Sequence, residues 1–233
     1  MVTRASGRPA AGGGRWVEVD PPRLERWLDG FVARHGAYAV DPQPYGLRVR
    51  AFDGTLAELY APPGAPLAAD VPSFVEMALA ARRIGLLLAR RGAVAVGIAH
   101  GADLVKSKVD SRYVQGRTAA GGWSQQRFAR RRENQSRAAA RDAADVVAQL
   151  LLPANRELST VVTGGDRRAV EAVLADARLG PVEALRSERF LEVPEPKLAV
   201  LRAAVVQARA VRIRLLHPDP PPAAEPADGA GTG

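Results

Sequence analysis

Between residues 15 and 216 the chain alternates segments of two-residue and 3.6-residue periodicity. Trp16 to Val19 alternates polar and apolar positions and predicts a strand. Asp20 then stands as an N-cap with Pro21 at the first helical position. Leu24, Trp27, Leu28 and Phe31 recur at helical spacing up to Gly36. Tyr38 to Val40, Leu47 to Phe52 and Leu56 to Tyr60 predict strands, so 15–60 reads as a small β-α-β-β unit. Ala61 to Asp70, with three prolines, reads as a linker. A short helix is expected from Ser73. Three β-rich runs follow, Ile84 to Ala89, Ala93 to Ala99 and Leu104 to Val109. The hairpin connections Arg90 to Gly92 and His100 to Asp103 join them into an antiparallel meander.

Tyr113 to Trp123 lacks periodicity and contains Gly116, Gly121 and Gly122, so a mobile loop is expected. A long helix is predicted from Ser124 to Leu152, stopped by Pro153. Its second half carries a core stripe of Ala143, Val146, Val147, Leu150 and Leu151. Its first half is polar nearly all round, with Phe128 the one large apolar residue. Such a helix cannot pack on its own core and must project into solvent or onto a polar partner. Leu158 to Val162 predicts a strand, Asp166 caps a helix running through Leu179, and Val182 to Leu185 and Phe190 to Val193 predict short strands. A helix over Pro196 to Ala208 and a strand over Val211 to Leu215 complete the series. Strand and helix alternate, so the class is α/β with a mixed sheet. The expected organisation is a disordered tail at 1–14, a small α/β unit at 15–72, a larger unit at 73–216 and a disordered Pro/Gly-rich tail at 217–233.

Charge sharpens this picture. The segment 104–141 holds ten basic residues: Lys106, Lys108, Arg112, Arg117, Arg127, Arg130, Arg131, Arg132, Arg137 and Arg141. Only Asp110 and Glu133 oppose them, and ten minus two equals the +8 of the whole chain. Arg127, Arg130, Arg131, Asn134, Arg137 and Arg141 recur at intervals of three or four as one basic stripe, and Lys106, Lys108 and Arg112 alternate along the preceding strand. So lopsided a segment is aimed at a polyanion, and arginine's planar fork suits RNA. Exposed ion pairs contribute only ~0–1 kcal/mol, so stability does not require the stripe.

Composition excludes other chemistries. The chain has no cysteine and three well-separated histidines. Disulfides, thiol nucleophiles, cysteine-ligated zinc and a Ser-His-Asp triad are not expected. Asp103 and Asp110, both at strand ends, are too few for a two-metal nuclease, so no metal is expected. Thr163-Gly164-Gly165-Asp166 resembles a phosphate cradle, but an aspartate at the N-cap repels phosphate, and a tight structural turn is expected. The N-terminus is not a signal peptide, and no apolar run approaches the about 20 residues that span a bilayer. A cytoplasmic location is expected.

One junction carries candidate chemistry: Gly121-Gly122-Trp123-Ser124-Gln125-Gln126-Arg127-Phe128-Ala129-Arg130. Two glycines let backbone approach a target closely, and a glutamine orients water without titrating. The string is similar to the tip of the middle domain of archaeal and eukaryotic class-1 peptide-chain release factors, where Gly-Gly-Gln precedes an Arg-Phe-Ala-Arg helix start. The longer run from Ser111 to Gln135 more closely resembles the VLRF-type release-factor-like proteins, in their bacterial (actinobacterial) branch. The resemblance covers about 80–216 and is sharp over 104–135.

It implies an RNase H-like fold and hydrolysis of peptidyl-tRNA on the large ribosomal subunit. The partners implied are rRNA and peptidyl-tRNA, with no cofactor. Gly121 and Gly122 would form the tip. In gapless register the release-factor glutamine falls on Trp123, so its role passes to Gln125 or Gln126, with Gln125 nearer the loop. A non-catalytic ribosome- or RNA-binding factor of release-factor-like shape is the alternative.

Overall fold

Val17 and Val19 are buried while their neighbours Trp16 and Glu18 are not, and a similar alternation recurs over Leu47 to Ala51 and Val211 to Leu215. In a computed structural model that describes residues 8–90, 92–111 and 124–218, and the side chains among them except at 111 and 124–133, the chain forms two sheets. The first contains β1 (Arg8–Pro9), β2 (Arg15–Val19), β3 (Tyr38–Gln43), β4 (Gly46–Ala51) and β5 (Leu56–Tyr60). The second contains β6 (Arg83–Arg90), β7 (Ala93–His100), β8 (Asp103–Ser111), β9 (Thr160–Gly165) and β10 (Arg186–Leu191). A final strand, β11 (Val211–Leu216), returns to the first sheet. Among the described residues six α-helices accompany them: α1 (Leu24–His35), α2 (Val71–Leu79), α3 (Ser124–Leu151), α4 (Arg167–Leu174), α5 (Gly180–Ala184) and α6 (Leu198–Arg209).

The first sheet is antiparallel, in the order β1-β2-β11-β5-β4-β3. Leu24, Leu28 and Phe31 of α1 and Phe74, Met77 and Ala78 of α2 close its inner face. The second sheet has the order β10-β9-β6-β7-β8. β6, β7 and β8 form the antiparallel meander, and β9 and β10 run parallel to β6. α3 and α4 pack on one face of this sheet, and α6 packs on the other. Among the described residues no helix is long and apolar enough to cross a membrane.

Several expectations are corrected. Residues 8–14 are not part of a tail: Arg8 and Pro9 pair with Trp16 and Arg15. Gly12, Gly13 and Gly14 have φ of 77°, 92° and 77°, which other residues rarely adopt, and Arg214 Nη2 donates to the Gly12 carbonyl at 2.7 Å. β11 does not extend the meander's sheet; it lies between β2 and β5. Val211, Ile213 and Leu215 are buried on one side only, with Arg212 and Arg214 between them, which fits a sheet with one covered face.

Helix α2 starts at Val71, before Ser73, because Asp70 and Ser73 form a capping box, with Ser73 N donating to Asp70 Oδ1 at 2.8 Å. The segment expected as a strand at Val182 to Leu185 is largely α5, opened by Pro181; the strand follows at Arg186–Leu191. The helix expected to reach Leu179 ends at Leu174, because the Asp176 carboxylate accepts from Arg178 N and starts a separate 3-10 turn.

The Thr163 to Asp166 motif is structural. Thr163, Gly164 and Gly165 belong to β9, and Asp166 caps α4 by accepting from Ala169 N at 3.0 Å. Gly165 has φ 103°, and a Cβ there would lie 2.3 Å from the Ala89 carbonyl oxygen. Gly165→Ala is therefore expected to lower unfolding free energy by about 1–2 kcal/mol, read from the urea midpoint.

Candidate nucleic-acid interface

Helix α3 serves two environments along its length. Ala143, Ala144, Val146, Val147 and Leu151 are buried against the second sheet and α4. From Asn134 to Asp142 no side chain is buried. The helix is 28 residues long, or ~42 Å at ~1.5 Å per residue. Among its described residues the fully buried positions are confined to the last third. On the stretch before it Asn134, Arg137 and Arg141 are exposed. Charged residues are tolerated there because burial would strip their hydration.

Edge strand β8 adds to the same region. Ile98 pairs with Lys106, yet Ala99 pairs with Leu104, so Val105 is an extra residue, a bulge. Leu104 packs beside Ala99 toward α6. The bulge reverses the alternation, so Lys106 and Lys108 oppose Ile98 and Val96 on the side of α3. Lys108 Nζ donates to Gln149 Oε1 of α3 at 2.9 Å. Beside it a groove of about 210 Å³ runs between β8 and the end of α3, with Lys106, Gln149, Arg83 and Glu157 at its rim. Arg83 and Glu157 pair with each other.

The basic side of α3 ends at a neutralised acid. Asp145 lies on that side of the helix and is exposed. Arg178 Nη2 donates to Asp145 Oδ1 at 2.7 Å and to Asp176 Oδ2 at 2.7 Å. Hydrogen bonds from the Arg178 side chain and its backbone amide hold the Asp176 carboxyl down to about 2. Arg178→Ala leaves Asp145 uncompensated beside the arginines. RNA affinity is expected to fall about two- to threefold, and the loss should fade at high salt in a filter-binding titration.

The structure gathers part of the predicted set. Lys106, Lys108, Arg137 and Arg141 are exposed around the α3–β8 edge. Gln125 and Gln126 occupy the first turn of α3, and Arg127, Arg130, Arg131 and Arg132 follow in its next turns. Arg112, Arg117, Gly121 and Gly122, with the expected mobile loop Tyr113 to Trp123, lie outside the described residues. Gln149 was absent from the sequence expectation. Only the bulge at Val105 turns Lys108 toward it, and no local pattern announces a bulge.

Residues 82–214, from the start of β6 into β11, match the family described as Actinobacteria/chloroflexi VLRF1 release factor. The match spans more than half of the chain. The chain belongs to this release-factor family. The matched range contains the whole second sheet and all of α3, so the α3–β8 edge is part of the family domain.

Among solved structures, a crystal structure of the archaeal translation termination factor aRF1 is similar at 18% identity, over 54% of this chain and 34% of that one, with a TM-score of 0.38. A structure described as an archaeal protein is similar at 14% identity, over 69% of this chain and 51% of that one, with a TM-score of 0.36. The chain thus spans about a third of the first and about half of the second. No curated protein matches the chain.

Proposed function

We propose that the chain is a peptidyl-tRNA hydrolase that frees nascent peptides from stalled large ribosomal subunits. The observation that carries this reading is the family match over a domain whose long helix has Gln125 and Gln126 in its first turn and exposes Arg137 and Arg141. The strand order of the second sheet, an antiparallel meander with two parallel strands beside β6, supports an RNase H-like fold for this domain.

In the proposed reaction a water attacks the ester carbonyl joining the peptide to the 3′-terminal ribose of tRNA. The bond between that carbonyl carbon and the ribose oxygen breaks. The peptide leaves as a carboxylate, and the ribose hydroxyl takes a proton. Gln125 or Gln126 positions the water, and a backbone amide near Gly122 stabilises the developing oxyanion. No side chain of the chain needs to titrate for this step. The work is orientation and the exclusion of bulk water inside an RNA-walled site. The arginines and lysines at the α3–β8 edge contact rRNA and tRNA phosphates, which makes binding salt-dependent. The setting of this work is the cytoplasm.

The decisive assay is peptide release from purified large subunits that carry peptidyl-tRNA. Release by the wild-type chain supports the proposal. Trp123, standing where release factors carry glutamine, favours a non-catalytic ribosome-binding factor as the second reading. Cosedimentation with large subunits without release would establish that reading instead.

A further inference from the structure

The outer face of the first sheet is unlike an ordinary solvated sheet surface. Strand register places Trp16, Arg214, Glu58, Arg48 and Asp41 in one row across five strands. The adjacent row holds Glu18, Arg212, Tyr60, Gly46 and Gln43. Neither α1 nor α2 covers this face, since both pack on the opposite one.

Three aromatic rings form a continuous strip here. Trp16 and Tyr60 meet edge to face at 5.1 Å, and Tyr45 stacks on Tyr60 at 4.5 Å. Gly46 makes that stack possible. Its φ is 144°, and a Cβ would fall 2.2 Å from the Leu59 carbonyl oxygen. The turn can then fold Tyr45 over Tyr60. All three rings are half-buried, so each retains surface open to solvent. The Arg212 guanidinium lies 4.3 Å from the Trp16 ring centre.

The face carries Arg48, Arg50, Arg212 and Arg214 against Glu18, Glu58 and Asp41, an excess of one positive charge, and Arg189 from the other sheet adds a second. Glu58 accepts from Arg48 at 3.2 Å and lies 3.6 Å from Arg214, so one carboxylate serves two guanidiniums. Glu18 pairs at 3.3 Å with Arg189 of β10, in the other sheet. Arg189 also donates to the Ala210 carbonyl at 2.7 Å, and burial pulls its guanidinium down to about 10. Among the described residues Arg50 and Arg212 have no carboxylate within ion-pair distance, and Arg50 is exposed. Of these two guanidiniums Arg212 lies against the Trp16 ring, and Arg50 opposes Leu56, on the same face but two rows along the strands from Tyr60.

We propose that this face is a second RNA-binding surface, stacking unpaired bases of a single strand on Trp16, Tyr45, Tyr60 and the Arg212 plane while Arg50 takes a phosphate farther along the same strand. Aromatic rings and guanidinium planes are the groups on which unpaired bases stack, and the interaction is tolerant of sequence. The occupant is an RNA strand because the excess charge is positive and is carried entirely by planar guanidiniums. The inference does not depend on the release reaction, and its site lies on the other sheet.

The test uses the full chain and a single-stranded RNA of about ten nucleotides containing 4-thiouridine. Trp27→Phe and Trp123→Phe leave Trp16 as the one remaining tryptophan of three. Arg137→Glu with Arg141→Glu weakens the competing contact on α3. In this background RNA is expected to quench Trp16 emission and to crosslink to peptides carrying Trp16, Tyr45 or Tyr60. Adding Arg50→Ala and Arg212→Ala should weaken that quenching about fivefold. The thermal midpoint verifies that the substituted chain is folded. Crosslinks confined to 104–141, or quenching unchanged by the Arg50 and Arg212 substitutions, would overturn the proposal. Binding of this face to an RNA-free protein with no crosslink to RNA would overturn it as well. Either failure leaves the release reading intact, because peptide release is measured separately.

Discussion

The Gln125→Ala, Gln126→Ala double variant is expected to lose peptide release by about 100-fold or more while still cosedimenting with large subunits. Both residues sit in the first turn of α3, a helix anchored at its other end by Val146, Val147 and Leu151. Loss of two amide side chains at the unanchored end leaves that core untouched, so folding and phosphate contacts persist. What disappears, on the proposed mechanism, is the group that orients water. Because orientation stabilises the transition state more than the bound complex, the deficit should fall on the rate constant rather than on affinity. The two single variants divide the role: the catalytic position should reproduce most of the double-variant loss. Unchanged release in all three variants would remove the glutamine mechanism.

Reversing two charges on α3, with Arg137→Glu and Arg141→Glu, should weaken binding to large subunits by about 100-fold at low salt. Both residues are exposed and lie well before Val146 and Val147, so the helix retains its anchor. The net charge falls from +8 by four units to +4. Loss of two phosphate contacts makes the plot of log affinity against log salt shallower by about 1.5–2. A net-charge effect alone would not depend on position. Arg26→Glu with Arg34→Glu on α1, also both exposed, changes net charge equally and serves as the control. Its expected effect is less than about threefold. Equal losses from the two pairs in a sedimentation titration across a salt series would show that α3 has no special place in binding.

The two predictions address separable properties. In the proposed function the glutamine pair serves chemistry at one end of α3, and the arginine pair serves attachment along its length. A chain that binds and does not release, and a chain that releases poorly because it does not bind, give different dependence on subunit concentration. The first is not rescued by more subunits, whereas the second is.

Local sequence determined the elements whose causes are local. α1, the hairpin strands of the first sheet, the meander, α3 and α6 follow from spacing of apolar residues, which registers directly which face each element buries. The asymmetry of α3 was equally legible, since a polar first half and an Ala/Val/Leu second half cannot both pack on one sheet. The family, too, was readable from the string around Gly121, Gly122 and the Arg127 to Arg130 run.

Tertiary structure decided what depends on residues distant in the chain. β11 joins the first sheet because its single apolar face matches an open position between β2 and β5, some 150 residues earlier. Nothing within Val211–Leu216 says which sheet that will be. The bulge at Val105 reverses which side Lys106 and Lys108 occupy, and it exists only as a mismatch of register with β7. The aromatic strip of Trp16, Tyr45 and Tyr60 needs three separate segments to be brought side by side. Periodicity reports the burial of an element by itself; pairing, register and shared surfaces are properties of two or more elements and are settled when the chain closes on itself.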